Sequence, residues 1–190
     1  MKPLHRRQGY DLTGGEISHR GGRWVPGDAV GGERTGEASA RVAALDATLR
    51  GAGFDAAATS TIMHEMWEKW VMLASAGGIT CLMRGNTGDV ASSAGGIAFA
   101  LAFLDEVAAT AAASGYPMTA AYLEQKRTAF TDPASTNSPS MFRDLEQGLD
   151  VEADQMLGDL VDRARKLGVS TPLVATAYTN LKVYQRCRAR

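Results

Sequence analysis

The sequence predicts a mainly α-helical protein. From residue 62 onward, apolar residues recur at helical spacing, and the turns between these segments contain residues that start and stop helices. Gly115 and Gly168 stand where helices are expected to end, while Ser138 and Thr171 each precede a proline where a helix is expected to start. The predicted helices cover residues 62–83, 95–114, 118–130, 140–147, 151–167 and 172–187.

The first third of the chain has a different pattern. Residues 1–30 mix glycine, arginine and short polar runs without a period, which predicts an irregular segment. Residues 31–61 contain a short amphipathic helix after Ser39 and a possible strand in "FDAAATST". We therefore divide the chain into segments 1–30, 31–61 and 62–190.

Composition and charge argue against several classes of protein. The chain has 190 residues, 45% of them hydrophobic, and a net charge of −1, so nothing favours nucleic acid or a membrane surface as partner. We expect that no apolar run is long enough to span a bilayer, because the uncharged stretch after Trp70 is broken by Gly77 and Gly78 and ends at Arg84. The N-terminus has no apolar signal segment, and Cys81 and Cys187 predict no disulfide framework. We expect a cytoplasmic protein.

Common catalytic and cofactor motifs are missing from the sequence. Neither G-x-G-x-x-G nor G-x-x-x-x-G-K-[ST] occurs, so no dinucleotide or phosphate loop is predicted. The histidines have no zinc-ligand or catalytic-triad spacing, and we expect no metal site: they are His5, His19 and His64.

Lys69, in "MWEKW", is the first candidate for a chemical role. It lies in a helix that is apolar on nearly all sides, which is typical of a buried helix. One interpretation is an ion pair with Glu65 one turn earlier, with the ammonium in water. The other is a lysine that lines a cleft and donates a proton near neutral pH. The local pattern alone favours the pair with Glu65.

The segment "SMFRDLEQGLDVEAD" contains the other candidates. Ser140 and Asp144 are one helical turn apart and share a face. Glu152 is predicted in the first turn of the next helix, where the helix dipole favours a carboxylate. Without further information, such carboxylates are more often solvated surface groups than parts of a site.

Taken together, these segments resemble the C-terminal helical domain of the ketopantoate reductase (2-dehydropantoate 2-reductase) family. Three motifs agree with the family in order and spacing: W-x-K at Trp67 and Lys69, S-M-x-x-D at Ser140, Met141 and Asp144, and E-x-D at Glu152 and Asp154. The resemblance runs from about residue 31 to the end of the chain. This resemblance favours the second interpretation of Lys69, a lysine that lines a cleft, over an ion pair with Glu65.

The resemblance implies a fold and a set of roles. Family members have an N-terminal Rossmann domain that binds NADPH and a helical domain of the 6-phosphogluconate-dehydrogenase-like type. The helical domain supplies the pocket for a 2-keto acid such as ketopantoate, an intermediate in pantothenate biosynthesis. Lys69 would be the general acid, Ser140, Thr87 and Asp144 would bind substrate, and Glu152 would lie beside the cofactor ribose. Residues 62–190 would also mediate a homodimer.

The sequence departs from the family pattern in the substrate pocket. Two asparagines expected one and two turns after the lysine are Leu73 and Gly77 here. The position of a third asparagine in the family pattern is occupied by Thr87 here, although Asn86 is adjacent. Because hydrogen-bonding specificity depends on placed polar partners, we expect poor binding of ketopantoate and a preference for another 2-keto acid.

The cofactor domain is the larger departure. Only residues 31–61 look like the end of a Rossmann domain, and the first strand and glycine loop are missing from the sequence. We therefore expect a truncated chain that is inactive in isolation and does not bind NADPH tightly alone. The alternative is a non-catalytic helical module for dimerisation or for binding a partner protein.

Overall fold

The computed structural model describes residues 17–19, 22–24, 29–49 and 56–190. The chain forms two compact units, residues 1–63 and residues 64–190. Most of the segment 1–30, predicted to be irregular, lies outside the described residues. Each unit is described by itself below.

The described part of the first unit contains short strands and one helix. Strands β1 (Ile17–His19) and β2 (Gly22–Trp24) pair antiparallel. Strand β3 (Ala29–Gly31) pairs in parallel with β4 (Ala56–Ala58), and helix α1 (Ala40–Leu49) lies between them in sequence and packs against both. Parallel neighbours need such a crossover connection, so these elements form a small β-α-β arrangement.

Helices make up the rest of the chain, and the prediction of a mainly helical protein is confirmed. Most predicted helices agree with the observed bounds to within two residues, and Gly115 and Gly168 have positive φ values directly after α4 and α7. The elements are α2 (Ile62–Met83), α3 (Thr87–Ser92), α4 (Gly96–Ala113), α5 (Ala120–Thr131), α6 (Ser140–Glu146), a π turn (Asp154–Gly158), α7 (Asp159–Lys166) and α8 (Pro172–Arg188).

The predicted helix 151–167 begins two residues later than predicted and is not a regular α-helix throughout. The helical run begins at Ala153 and passes through the π turn, where the Asp159 N–H donates to the Asp154 carbonyl five residues back. Glu152 precedes this run and is not in its first turn, although its carbonyl accepts the Met156 N–H at 3.0 Å. The inserted residue of a π turn leaves no signal in a short helical pattern.

Two further differences concern helix starts. Thr171 is confirmed as the N-cap of α8, but Ser138 is wrong as a cap because α6 begins at Ser140 after Pro139. Helix α3 was not predicted, since six residues are too few to show a period. Its start is nevertheless well defined: the Asn86 side chain accepts the Asp89 N–H at 2.9 Å, and the Asp89 carboxylate accepts the Asn86 N–H at 3.0 Å.

The second half of α2 lies at the centre of the core. Every residue from 74 to 81 is buried. A Cβ atom added to Gly77 would lie 2.5 Å from Met141 Cε, and one added to Gly78 would lie 2.3 Å from Phe103 Cζ. Helices α6 and α4 therefore approach the backbone of α2 so closely that these positions accept only glycine without rearrangement.

Helix α4 is long and apolar enough to cross a membrane by length and composition, so the expectation that no segment reaches this threshold is wrong. A core helix of a soluble protein passes the same test. Here α4 buries Phe103, Leu104 and Val107 in the core, and its Glu106 carboxylate accepts the Leu173 N–H at the start of α8 at 3.0 Å. These contacts are those of a core helix.

Candidate functional site

Lys69 lies in the first half of α2 and is exposed. Its ammonium makes no hydrogen bond or ion pair with any residue that the structure describes. The pair with Glu65 favoured by the local pattern is therefore not formed. An unpaired ammonium at the surface is available to an anionic or carbonyl-bearing ligand.

An aromatic cluster fixes the segment of α2 that carries Lys69. The rings of Trp67 and Trp70 have centroids 4.8 Å apart, and Tyr116 stacks on Trp67 at 5.5 Å. The Arg163 guanidinium lies over both indoles, at 5.7 Å and 5.5 Å from their centroids. Because these side chains hold the tryptophans on either side of the lysine, the backbone of Lys69 has a fixed position in the helix.

Trp70 also connects this segment to the one that follows Glu152. The indole Nε1–H of Trp70 donates to the Met156 carbonyl at 3.0 Å. Met156 lies in the π turn, and its own N–H donates to the Glu152 carbonyl. The Glu152 side chain is exposed and makes no hydrogen bond or ion pair among the residues described. Its carboxylate is thus free to accept a hydrogen bond from a ligand.

Asp154 anchors the other side of the π turn to α8. The Tyr178 hydroxyl donates to its carboxylate at 2.6 Å, and Lys182 Nζ lies 2.8 Å from its second oxygen. Hydrogen bonds from Lys182 and then from Tyr178 lower the pKa of Asp154, and the bond to Asp154 raises the pKa of Tyr178 to about 12. The residue that matches the end of the E-x-D motif is therefore a structural anchor.

Ser140 is brought to α2 by its neighbour. It is the first residue of α6 and is exposed, and its hydroxyl makes no hydrogen bond within the described part of the chain. The adjacent Met141 is buried with its methyl group over Gly77. Gly77 lies two turns after Lys69 and on the same helical face. Helix α6 therefore begins along the face of α2 that carries the lysine.

Asp144 lies one turn after Ser140 in α6, the helix that packs on α2 through Met141. It is half-buried, and its charge is one of the causes that raise the pKa of the Cys81 thiol to about 12, after the larger effect of burial. Cys81 is one turn beyond Gly77 in α2. This places Asp144 near the buried end of α2 and away from Lys69.

Thr87 is used within the fold. Its side chain is buried, and its hydroxyl lies 2.7 Å from the Ser135 hydroxyl. The Gly88 N–H donates to the Ser135 carbonyl at 3.0 Å, so the start of α3 is bonded to the loop that leads to α6. The adjacent Asn86 is occupied in capping α3. A substrate role for Thr87 stays a prediction, and its hydroxyl already has a protein partner.

The described residues do not form a cradle for the phosphates of NADPH. In Rossmann domains the pyrophosphate lies at the start of the helix that follows a strand. After β3, the Glu33 carboxylate occupies this region: it accepts the Ser39 hydroxyl at 2.6 Å and lies 2.6 Å from an Arg41 nitrogen. These bonds, that of Ser39 first, lower the pKa of Glu33, and its negative charge would repel a phosphate. The assignment of Glu152 to the ribose side of the cofactor stays a prediction.

A cavity of about 340 Å³ opens elsewhere, between the end of α2 and the start of α4. It is lined by residues 83–85, 89, 90, 93–96 and 99, which include none of Lys69, Thr87 and Ser140. This cavity is therefore separate from the predicted site residues.

The sequence did not reveal the residues that support the site. The Trp70 hydrogen bond leaves no sequence signal, because its acceptor is a backbone carbonyl in a π turn that the sequence pattern does not predict. Arg163 comes from a distant helix and leaves no local pattern. The Asn86 and Asp89 cap, in contrast, is readable as N-x-x-D.

Comparisons with known proteins agree with one another on the family. The family model "Ketopantoate reductase PanE/ApbA C terminal" matches residues 61–185. The chain is 28% identical over 156 residues to the uncharacterized oxidoreductase YkpB of Bacillus subtilis, covering 82% of this chain and 52% of that protein. It is 27% identical over 180 residues to a 2-dehydropantoate 2-reductase of Halobacterium salinarum, covering 90% of this chain and 59% of that protein.

A solved structure shows the same fold. The 2-dehydropantoate 2-reductase of Methylococcus capsulatus superposes with a TM-score of 0.72 at 28% identity, over 85% of this chain and 51% of that one. The chain thus spans about half the length of the relatives that it matches. The agreement between the family model and these relatives leads to one conclusion: the chain belongs to the ketopantoate reductase family, and residues 61–185 correspond to its C-terminal domain.

Proposed function

We propose that the helical unit binds the substrate of an NADPH-dependent 2-keto acid reductase, with Lys69 as its general acid. One observation carries this proposal. Met141, next to Ser140 in α6, packs on Gly77, which lies two turns after Lys69 in α2. Lys69 and Ser140 are both exposed, and neither side chain has a partner among the described residues, so a cationic donor and a neutral donor come from two helices in contact.

This arrangement suits the reduction of a ketone beside a carboxylate. Negative charge develops on the carbonyl oxygen during reduction, and an ammonium close to that oxygen stabilises the charge and supplies the proton. The Ser140 hydroxyl would donate a hydrogen bond to the substrate and hold it in position. NADPH, when bound, supplies the hydride.

The remaining predicted residues have lesser roles in this scheme. Glu152 would accept a hydrogen bond from a ribose hydroxyl of NADPH, since its carboxylate is exposed and unpaired in the described part of the chain. Asp144 would support the α6 end of the site. The substrate would be a 2-keto acid such as ketopantoate, and the pathway that of pantothenate. A homodimer remains part of the proposal.

The test is a titration of the chain with NADPH, followed by addition of a 2-keto acid while NADPH absorbance is recorded. Because the chain is expected to bind NADPH weakly when alone, the proposal predicts at most slow oxidation, which requires the keto acid and is lost in Lys69→Gln. A matched control is Lys166→Gln, which changes an exposed lysine at the end of α7. Oxidation that survives Lys69→Gln unchanged would rule out this lysine as the general acid.

A second function is a non-catalytic helical module that binds a partner or a second copy of the chain. The Glu33 carboxylate at the start of α1 favours it, because that position then repels the phosphates of NADPH. The exposed apolar side chains of Met83 and Ile97 also favour it. Absence of any Lys69-dependent keto-acid binding would support this function, whereas micromolar NADPH binding with keto-acid-dependent oxidation would exclude it.

A further inference from the structure

We propose that the cavity between the end of α2 and the start of α4 binds the zwitterion of an amino acid with an apolar side chain. The residues that line this cavity include neither Lys69 nor Ser140, so the proposal does not depend on the reductase function. It rests on three observations: an apolar wall, two opposite charges that do not bind each other, and a strained backbone position that carries one of these charges.

The cavity has the size and the wall of a small-molecule site. Its volume of about 340 Å³ lies at the lower end of the range of about 300–1,000 Å³ that ligand pockets occupy. Met83, Val90 and Phe99 contribute apolar side chains to its wall, and Met83 is exposed. A ligand with an apolar part that covers these side chains removes apolar surface from water, which favours binding.

Arg84 contributes a cation to this wall from an unfavourable backbone conformation. It follows directly after α2, and its φ of 59° is the single positive value outside glycine among the residues described. Glycine usually occupies this conformation at helix ends, as Gly115 does after α4. The helix dipole favours a cation at the end of α2, but an arginine within the last turn would provide one without strain. Backbone strain at a residue that lines a cavity is typical of a binding site.

Arg84 and Asp89 are the two charged residues that line the cavity. The Arg84 guanidinium makes no hydrogen bond or ion pair with any residue in the described part of the chain, including Asp89. The Asp89 carboxylate is held in place, because its Oδ2 accepts the Asn86 N–H at 3.0 Å. Its Oδ1 has no partner among the residues that the structure describes. Each charge can therefore bind one further group of opposite charge.

A zwitterion supplies both of these groups at once. Its carboxylate would bind the Arg84 guanidinium and its ammonium would bind Asp89 Oδ1, through charge-assisted hydrogen bonds. A simple carboxylic acid would bring its negative charge near Asp89, while a simple amine would bring its positive charge near Arg84. A 2-keto acid likewise has no ammonium group, so it should not bind in this cavity. The expected ligand is therefore an amino acid, with its side chain against Met83 and Phe99.

Three ligands with the same branched side chain test the requirement for both charges. L-leucine has both, 4-methylpentanoate lacks the ammonium group, and 3-methylbutylamine lacks the carboxylate. Their dissociation constants can be measured by NMR titration of the Met83 methyl signal. We expect a saturable shift with L-leucine and about ten- to 100-fold weaker binding of each analogue, since each loses a hydrogen bond between charged groups. No saturable shift with L-leucine, or equal affinity for an analogue, would overturn the proposal.

Substitution of Arg84 separates the strain from the charge. Arg84→Gly should raise the urea concentration at the midpoint of unfolding, because glycine adopts a φ of 59° without strain. It should also weaken L-leucine binding about ten- to 100-fold and leave 3-methylbutylamine no weaker, because the amine does not use the guanidinium. The matched control is Arg186→Gln in the exposed last turn of α8, which should leave L-leucine binding unchanged. Unchanged L-leucine binding in Arg84→Gly would mean that the arginine has only a structural role, and the proposal would fail.

Asp89→Asn tests the other charge. The asparagine keeps an oxygen that can accept the Asn86 N–H, so the cap of α3 is preserved. We expect L-leucine to bind about ten- to 100-fold more weakly and 4-methylpentanoate to bind more tightly, because the charge that attracts the ammonium and repels the carboxylate is gone. An unchanged ratio of the two dissociation constants would contradict the role of Asp89.

Discussion

Asp154 illustrates how a single side chain fixes the geometry next to the candidate site. Its carboxylate joins the π turn after Glu152 to Tyr178 and Lys182 in α8. Since these hydrogen bonds favour the ionised carboxylate, the stabilisation from Asp154 is fully present above the ordinary pKa of 3.8 and is lost as pH falls through the lower folded value. The stabilisation that comes from the raised pKa of Tyr178 is fully present below its ordinary pKa of 10.0 and is lost as pH rises through about 12.

Removal of this carboxylate charge should be visible at the tyrosine. We predict that Asp154→Asn lowers the pKa of Tyr178 from about 12 towards its ordinary 10.0, measured by NMR of the tyrosine Cζ during a pH titration. Tyr122 is the internal control, because burial is the main cause that raises its pKa to about 12. An unchanged Tyr178 pKa would mean that the bond to Asp154 is not formed in solution.

At the scale of the element, α2 carries Lys69 on one half and packs the core with the other. Its two adjacent glycines face different neighbours. Gly77 meets the flexible end of Met141, whereas Gly78 meets the ring of Phe103, which is fully buried. A methyl group at Gly77 can push a thioether aside, but a methyl group at Gly78 must displace an aromatic ring in a packed core.

We therefore predict different effects for the two alanine substitutions. Gly78→Ala should lower the free energy of unfolding by about 1–3 kcal/mol through overpacking. Gly77→Ala should be near neutral, because a gain in helix propensity of up to about 1 kcal/mol offsets the shift of Met141. Urea denaturation of both variants measures this difference. Equal effects would indicate that α4 and α6 do not approach α2 as described.

On the scale of the whole molecule, the helical unit depends on a core to which the π turn also contributes. Leu157 lies in that turn and is 0% exposed. Leu167, the residue after α7, is 48% exposed. Leu157→Ala should destabilise the protein by about 2–5 kcal/mol because it leaves a cavity. Leu167→Ala, as the matched control, should change stability by less than about 0.5 kcal/mol. A Leu157→Ala effect as small as the control would show that the turn packs nothing.

Local sequence signals predict most of the helices of this fold, but they predict few of the side-chain contacts at the candidate site. The start of α8 at Thr171 and Pro172 follows from rules that act within one turn, and so it was predictable. The π turn was not, because its extra residue is stabilised by Trp70 and Tyr178, which are 86 and 24 residues away from their partners in the chain. Prediction of Lys69 as a site residue likewise depended on Ser140 and Glu152, distant in sequence.

The most direct test of the central claim is an NMR titration of the methionine methyl groups with a 2-keto acid such as pyruvate. Met141 lies over Gly77 beside Ser140, while Met83 lines the separate cavity at the end of α2 and serves as an internal reference. If the α2 face with Lys69 binds keto acids, the Met141 methyl signal shifts in a saturable manner, and Lys69→Gln abolishes the shift. No shift at Met141, or the same shift in Lys69→Gln, would contradict the assignment of the site.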